Sequence, residues 1–196
     1  MEVLSDIYTI SFVSSIYIVI ENTLKNVNPV SYIFPMNCPN GLPDKIVFIA
    51  DAHLGMPGDI PERARHLESF LASLRGTVSH LYILGDLFDF WFEYRTVVPV
   101  TAPGVIFHIH DLVRSGVEVS LLAGNHDYWS GPYLRDGIGM KLYPDGLSVA
   151  HQGRKIYMHH GDGLYPRDHG YRILKKGLRN SFIISMFRLI HPDWAA

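Results

Sequence analysis

Four short stretches of this chain place residues that bind cations or move protons at the ends of apolar runs. ADAHLG carries Asp51 and His53, and LGDLFDFW carries Asp86 and Asp89. AGNHD carries Asn125 and His126, and MHHGD carries His159, His160 and Asp162. Carboxylate, imidazole and amide oxygen together suit Mn²⁺, Fe or Zn²⁺ better than Ca²⁺. One carboxylate can bridge two cations, and two cations about 3.5–4 Å apart can clamp phosphoryl oxygens and generate hydroxide. Gly85, Gly124 and Gly161 sit beside these residues, where the backbone must turn sharply. Each stretch alone has an ordinary reading, such as an Asp-rich turn or an Asn in a left-handed turn. Four of them in order, each closing an apolar run, point to one site.

The elements that must hold these residues follow from the apolar patterning. KIVFIAD (45–51), HLYILGD (80–86) and VEVSLLAGN (117–125) read as buried strands. A helix is expected from Pro61 to Arg75, with Leu67, Phe70, Leu71 and Leu74 on its buried face and Gly76 after its end. A second is expected over 101–115, closed by Gly116. LSVAHQGRKIYMHHGD (147–162) reads as two strands around a turn at Gln152–Gly153. The order β-α-β-α-β argues an α/β domain with helices covering a sheet. In such sheets ligands bind at the carboxyl ends of the strands, where these polar residues lie.

Hydrophobic residues make up 47% and charged residues 18% of the 196, which describes a globular domain. A net charge of −2 gives no sign of a nucleic-acid binder. The single cysteine, Cys38, excludes an internal disulfide and a cysteine-cluster zinc site, and fits a reducing compartment. Residues 7–20 form an apolar run shorter than the roughly 18–20 residues that span a bilayer. Glu2 and Asp6 precede it rather than lysines or arginines, which argues against a signal peptide. A proline-rich stretch (26–44) follows. Residues 1–44 are therefore expected to be an extension or linker, an extra strand or an interfacial anchor, with the domain over 45–196. No G-x-G-x-x-G follows a strand, so a dinucleotide binder is disfavoured. No G-x-S-x-G is present, which disfavours a serine hydrolase.

The four motifs resemble the calcineurin-like metallophosphoesterases, whose pattern is D-x-H, G-D-x-x-D, G-N-H-D/E, a histidine before glycine, and G-H-x-H. That resemblance implies a two-sheet sandwich flanked by helices. It implies Asp51 and His53 as ligands of a first metal, Asp86 as a bridging carboxylate, and Asn125 and His160 as ligands of a second. It implies that His126 contacts the scissile phosphate and helps stabilise the leaving group, and that Asp89 orients His126. His159 and His160 compete for one position, since neighbouring strand residues face opposite ways. His160 is chosen because it directly precedes Gly-Asp.

A narrower resemblance covers about 45–196. FIADAHLG, GDLFDFWFEYR, GNHDYW, HHGDGLYPRDHGYRILKK and RLIHPDW are similar to bacterial UDP-2,3-diacylglucosamine pyrophosphatases of lipid A synthesis. The resemblance implies Mn²⁺ as cofactor and a lipid-linked nucleotide sugar split to UMP and 2,3-diacylglucosamine 1-phosphate. It implies work in the cytoplasm at the inner membrane, and a place near the glucosamine unit for Asp168 and Tyr171. Independently, 167–190 interleaves six cationic residues with many apolar ones, which suits a basic amphipathic helix against a lipid or anionic surface. An ordinary surface helix is the plainer reading.

The chain also departs from the pattern. G-H-x-H is missing, and the only H-x-H, His108–His110, falls in an expected helix without a preceding glycine. Residues two apart on a helix point about 200° apart and do not chelate one site. The expectation is a C-terminally truncated sandwich that lacks two of the implied ligands. A calcineurin-like phosphodiesterase of other specificity and a non-catalytic fragment are the competing readings.

Overall fold

The structure is a computed structural model that describes residues 18–20, 34–35, 45–57, 61–151, 154–162 and 169–191. Asp168, Arg167 and the Gln152–Gly153 turn lie outside these residues.

Four parallel strands form the sheet that carries the site. They are β3 (Ile46–Ile49), β4 (His80–Ile83), β5 (Glu118–Leu122) and β6 (Lys141–Tyr143), in that spatial order. Parallel neighbours need crossovers, and α1 (Pro61–Leu74) and α2 (Pro103–Arg114) supply them. Both helices have a proline at their first residue, where its missing N–H costs nothing. Gly76 and Gly116 follow the helices with φ of +70° and +94°, conformations that glycine adopts without steric cost. The second sheet has the order β1 (Ile18–Ile20), β8 (Arg154–Met158), β7 (Leu147–His151), β2 (Phe34–Pro35). Within it β1, β8 and β7 pair antiparallel, and β2 joins β7 in parallel. Two short strands of residues 1–44 therefore edge this sheet.

Alternation on the strands divides the core in two. Leu81 and Ile83 on β4 and Val119 and Leu121 on β5 pack with Leu71, Val105, Ile109 and Leu112 under the helices. Tyr82 and Leu122 point the other way, to meet Leu147, Val149 and Met158 of the second sheet. Strands buried on both faces read as continuous apolar runs, as these do.

Two local expectations change. Phe70 is 41% exposed. The packed seam of α1 runs through Ala64, Leu67, Leu71 and Leu74, and Phe70 lies about 60° from Leu67 on the flank away from Ala64 and Leu71. The basic segment is two helices, α3 (His169–Leu178) and α4 (Ser181–Phe187), rather than one. Asn180 breaks it: its backbone is extended (φ −72°, ψ 127°) and its side chain accepts from Phe182 N at 2.9 Å, capping α4. A π-helical turn, Tyr133–Ile138, and the three-residue β6 carry no expectation, being too short for periodicity to show.

Candidate metal centre

The loops after β3 and β4 are zipped together beyond the strands. Asp51 N donates to Gly85 O (3.2 Å), His53 N to Asp86 O (2.9 Å) and Leu54 N to Leu87 O (3.0 Å). Asp89 N returns a bond to Leu54 O at 3.0 Å. This pairing bends three non-glycine residues into the left-handed region: Asp51 (φ 53°), His53 (43°) and Asp86 (52°). Such a conformation is uncommon outside glycine and gathers at functional sites. Gly85 and Gly124 have no room for a side chain. A Cβ on Gly85 would stand 2.5 Å from His160 Nδ1 and 2.8 Å from Gly124 Cα. On Gly124 it would collide with the Asp86 carboxylate and lie 2.7 Å from Asp86 N.

Asp86 is the hub. Its side chain is only 4% exposed, and Oδ1 accepts from His126 N at 3.0 Å. Oδ2 faces two imidazoles, His160 Nε2 at 3.2 Å and His53 Nε2 at 3.6 Å. Burial opposes charge on Asp86, but the His160 hydrogen bond and the His126 N–H outweigh it and hold the carboxyl below its ordinary range. Burial likewise opposes charge on His160, and the Asp86 carboxylate overcomes it, lifting that imidazole to about 9. Burial raises Asp51, with His160 pulling it down and Asp86 pushing it up. His160 Nδ1 lies 2.8 Å from Leu84 O, and a carbonyl can only accept, so this nitrogen donates and Nε2 is left for the site. Asn125 Oδ1 lies 3.2 Å from the same Nε2.

His159 turns elsewhere. Its Nδ1 accepts from Gly161 N at 2.7 Å, and its ring stacks on Tyr157. His126 Nδ1 donates to Asp89 O at 2.6 Å, and its ring meets that of His53 edge-on at 4.8 Å. Tyr171 OH donates to Asp162 Oδ2 at 2.7 Å, where Lys175 Nζ also binds at 2.6 Å. So Asp51, His53, Asp86, Asp89, Asn125, His126 and His160 come together. Tyr171 is anchored two residues beyond His160, and Asp168 lies outside the described residues. His108 and His110 stay on α2.

Ligand atoms of Asp51, His53 and Asp86 lie within 4.8 Å of one another, as do those of His53, Asp89 and His126. The 3.6 Å between His53 Nε2 and Asp86 Oδ2 is too long for a hydrogen bond and suits two donors sharing one cation. Mixed carboxylate, imidazole and amide donors around a buried carboxylate fit a divalent ion of borderline softness.

Two scaffold residues escaped the sequence reading. Asp127 is fully buried and accepts from Gly124 N (2.9 Å) and Leu87 N (2.8 Å), clamping the β5 loop to the β4 loop. Its place directly after Asn125 and His126 was the available signal. Buried Glu93 accepts from Trp91 Nε1 and from Gly131, Tyr133 and Leu134 N–H, holding the start of the π-helical turn. No local motif marks it.

The family model for calcineurin-like phosphoesterases matches residues 44–189. Proteins called UDP-2,3-diacylglucosamine hydrolase are similar to the chain. The one from Porphyromonas gingivalis is 34% identical over 76% of this chain and 58% of its own length. Those from Stutzerimonas stutzeri and Pectobacterium carotovorum are each 33% identical, over 73% and 74% of this chain and 58% and 59% of theirs. The chain thus spans less than two thirds of the length of these curated relatives. The chain belongs to the calcineurin-like phosphoesterase family.

Proposed function

We propose that the chain carries most of the site of a metal-dependent pyrophosphatase that cleaves UDP-2,3-diacylglucosamine to UMP and 2,3-diacylglucosamine 1-phosphate, with Mn²⁺ as the cofactor. The observation that carries this reading is Asp86 Oδ2, buried between two imidazole nitrogens at 3.2 and 3.6 Å. Asp51 and His53 would hold one ion, Asn125 and His160 a second, and Asp86 both. Bound there, divalent ions supply Lewis acidity toward phosphoryl oxygen and lower the pKa of water. His126, 37% exposed and held through its Nδ1–H, would present Nε2 to the phosphate and, when doubly protonated, give the Nε2 proton to the leaving group. Tyr171 and Asp168 serve the sugar unit from α3 and the segment before it.

The lipid part of the reading has its own support. A cavity of about 300 Å³ lies under α4, lined by Phe92, Leu121, Trp129 and Ile184, with Arg135 and Arg188 also in its wall. It suits an apolar chain attached to an anionic head. Ile173, Phe182 and Leu189 are 71–80% exposed on α3, α4 and the residues after it. No helix among the described residues is long and apolar enough to cross a membrane. In this reading the exposed apolar face of α3 and α4 would rest on the cytoplasmic side of the inner membrane. Among the described side chains Lys175 is engaged with Asp162 and Arg179 with Asp145, which leaves Lys176 and Arg188 to meet a lipid surface. Their reversal to glutamate should weaken binding to anionic liposomes; unchanged binding would refute the membrane contact.

The function is tested by UMP release from UDP-2,3-diacylglucosamine, assayed on the chain and on a version extended to the relatives' length. Release stopped by EDTA and restored by Mn²⁺ is expected. Mn²⁺-dependent hydrolysis of simple phosphodiesters alone would favour another specificity in this family. No hydrolysis by either version would favour a non-catalytic role.

A further inference from the structure

The segment from Tyr94 to Gly104 joins the β4 loop to α2 and presents apolar side chains to solvent. Val100 is 88% exposed and Val97 47%, and Met56, just past His53, is 38% exposed. The segment is pinned from beneath. Tyr94 N donates to Val97 O at 3.0 Å, and the Tyr94 ring packs on Phe92 at 4.7 Å. Val98 and Ala102 pack against the larger core. Ala102 closes the segment in left-handed backbone (φ 44°), which alanine rarely adopts. A Cβ on Gly55 would stand 2.6 Å from Thr101 Cγ2, so the β3 loop that carries Met56 lies against the segment. At the other end Phe92 also meets Phe187 of α4, at 4.7 Å. The segment therefore continues the exposed face of α3 and α4 along the carboxyl edge of the sheet.

Single exposed apolar residues are ordinary, but two valines held outward on either side of an anchored one form a patch. Arg95 is the one charged residue between Tyr94 and Gly104, where no acid occurs. Apolar side chains beside a cation match the boundary between anionic headgroups and acyl chains. Protein partners are gripped more often by Trp, Tyr or Arg in a pocket than by valine. We propose that this segment is a second membrane contact: Val97 and Val100 enter the headgroup–acyl boundary of an anionic bilayer while Arg95 meets lipid phosphates. With α3 and α4 on its flank, the carboxyl edge then faces the lipid surface. The inference rests on the lipid-substrate reading above for its purpose, and its binding is measured without turnover.

The test uses the full chain with Cys38→Ser and one new cysteine carrying an NBD fluorophore. Val100→Cys places the label on the segment, and Arg114→Cys places it at the far end of α2 as a control. Vesicles of phosphatidylethanolamine and phosphatidylglycerol containing doxyl lipids should quench the first label and spare the second. Without labels, Val97→Asp combined with Val100→Asp should lower partitioning into these vesicles about tenfold, the worth of burying one valine. The exposed positions let this variant fold, which far-UV circular dichroism checks. The proposal is overturned if the label at Val100→Cys is unquenched, if both labels are quenched equally, or if the double variant partitions like the wild type. A lipid-free chain that doubles its mass in ultracentrifugation, and loses that doubling in the double variant, would give the segment to a second copy instead. Vesicle binding through this segment without UMP release by the extended protein would sink the function reading alone.

Discussion

At the residue scale, the side chains of the site differ in chemistry, so single substitutions should separate their roles. Asn125→Ala removes an amide oxygen facing His160 Nε2, and should weaken Mn²⁺ binding. His126→Ala should retain the metal and lower turnover in the extended protein by about 10²–10⁴, the usual share of a general acid. The opposite pattern in metal titration and kinetics would exchange the two assignments. Gly124→Ala drives a methyl into Asp86 and should abolish Mn²⁺ binding while the sheets still fold. The motif residues were legible because each sits within a few positions of a strand end. The left-handed backbone of Asp51, His53 and Asp86 was not. It arises from pairing between two loops more than thirty residues apart, and Gly85 announces a turn without showing that Asp51, His53 and Asp86 share it.

At the element scale, the loops are held by buried carboxylates rather than by further strands. Glu93→Ala strands Trp91 Nε1 and three donors at the start of the π-helical turn. It should cost about 2–6 kcal/mol in urea unfolding, since Trp91 Nε1 and Leu134 N are the buried ones and each orphaned buried donor costs about 1–3 kcal/mol. A loss below about 1 kcal/mol would show that water takes over these bonds. Asn180→Ala should remove the cap between α3 and α4, costing about 1 kcal/mol. Faster amide exchange confined to α4 would report it. Arg179, beside the break, lies 4.1 Å over the Tyr128 ring and 2.7 Å from Asp145, so α3 should keep its place. The parallel strands and both crossover helices were legible because apolar runs and glycine or proline stops are local signals. The helix break had a local signal in Gly177 and the Asn180–Ser181 pair, but apolar and basic residues continue on both sides of it. The roles of Glu93 and Asp127 depend on partners in space.

At the scale of the whole molecule, one sheet does two jobs. Its helix-facing side makes the larger core, and its other face meets the second sheet through Tyr82, Leu122, Val149 and Met158. Its carboxyl edge gathers the acids, imidazoles and amide that can hold cations. The exposed apolar face of α3 and α4 lies beyond that edge, beside the cavity that would take an acyl chain. The proposed catalytic edge and the proposed lipid-facing helices would thereby share one side of the protein. The central claim is that this edge binds a divalent metal through Asp86. Its most direct test is isothermal titration of Mn²⁺ into the metal-free chain and into Asp86→Ala. Saturable binding by the wild type, and its loss in the variant with far-UV circular dichroism unchanged, is the expected result. Equal binding by both, or none by the wild type, would contradict it.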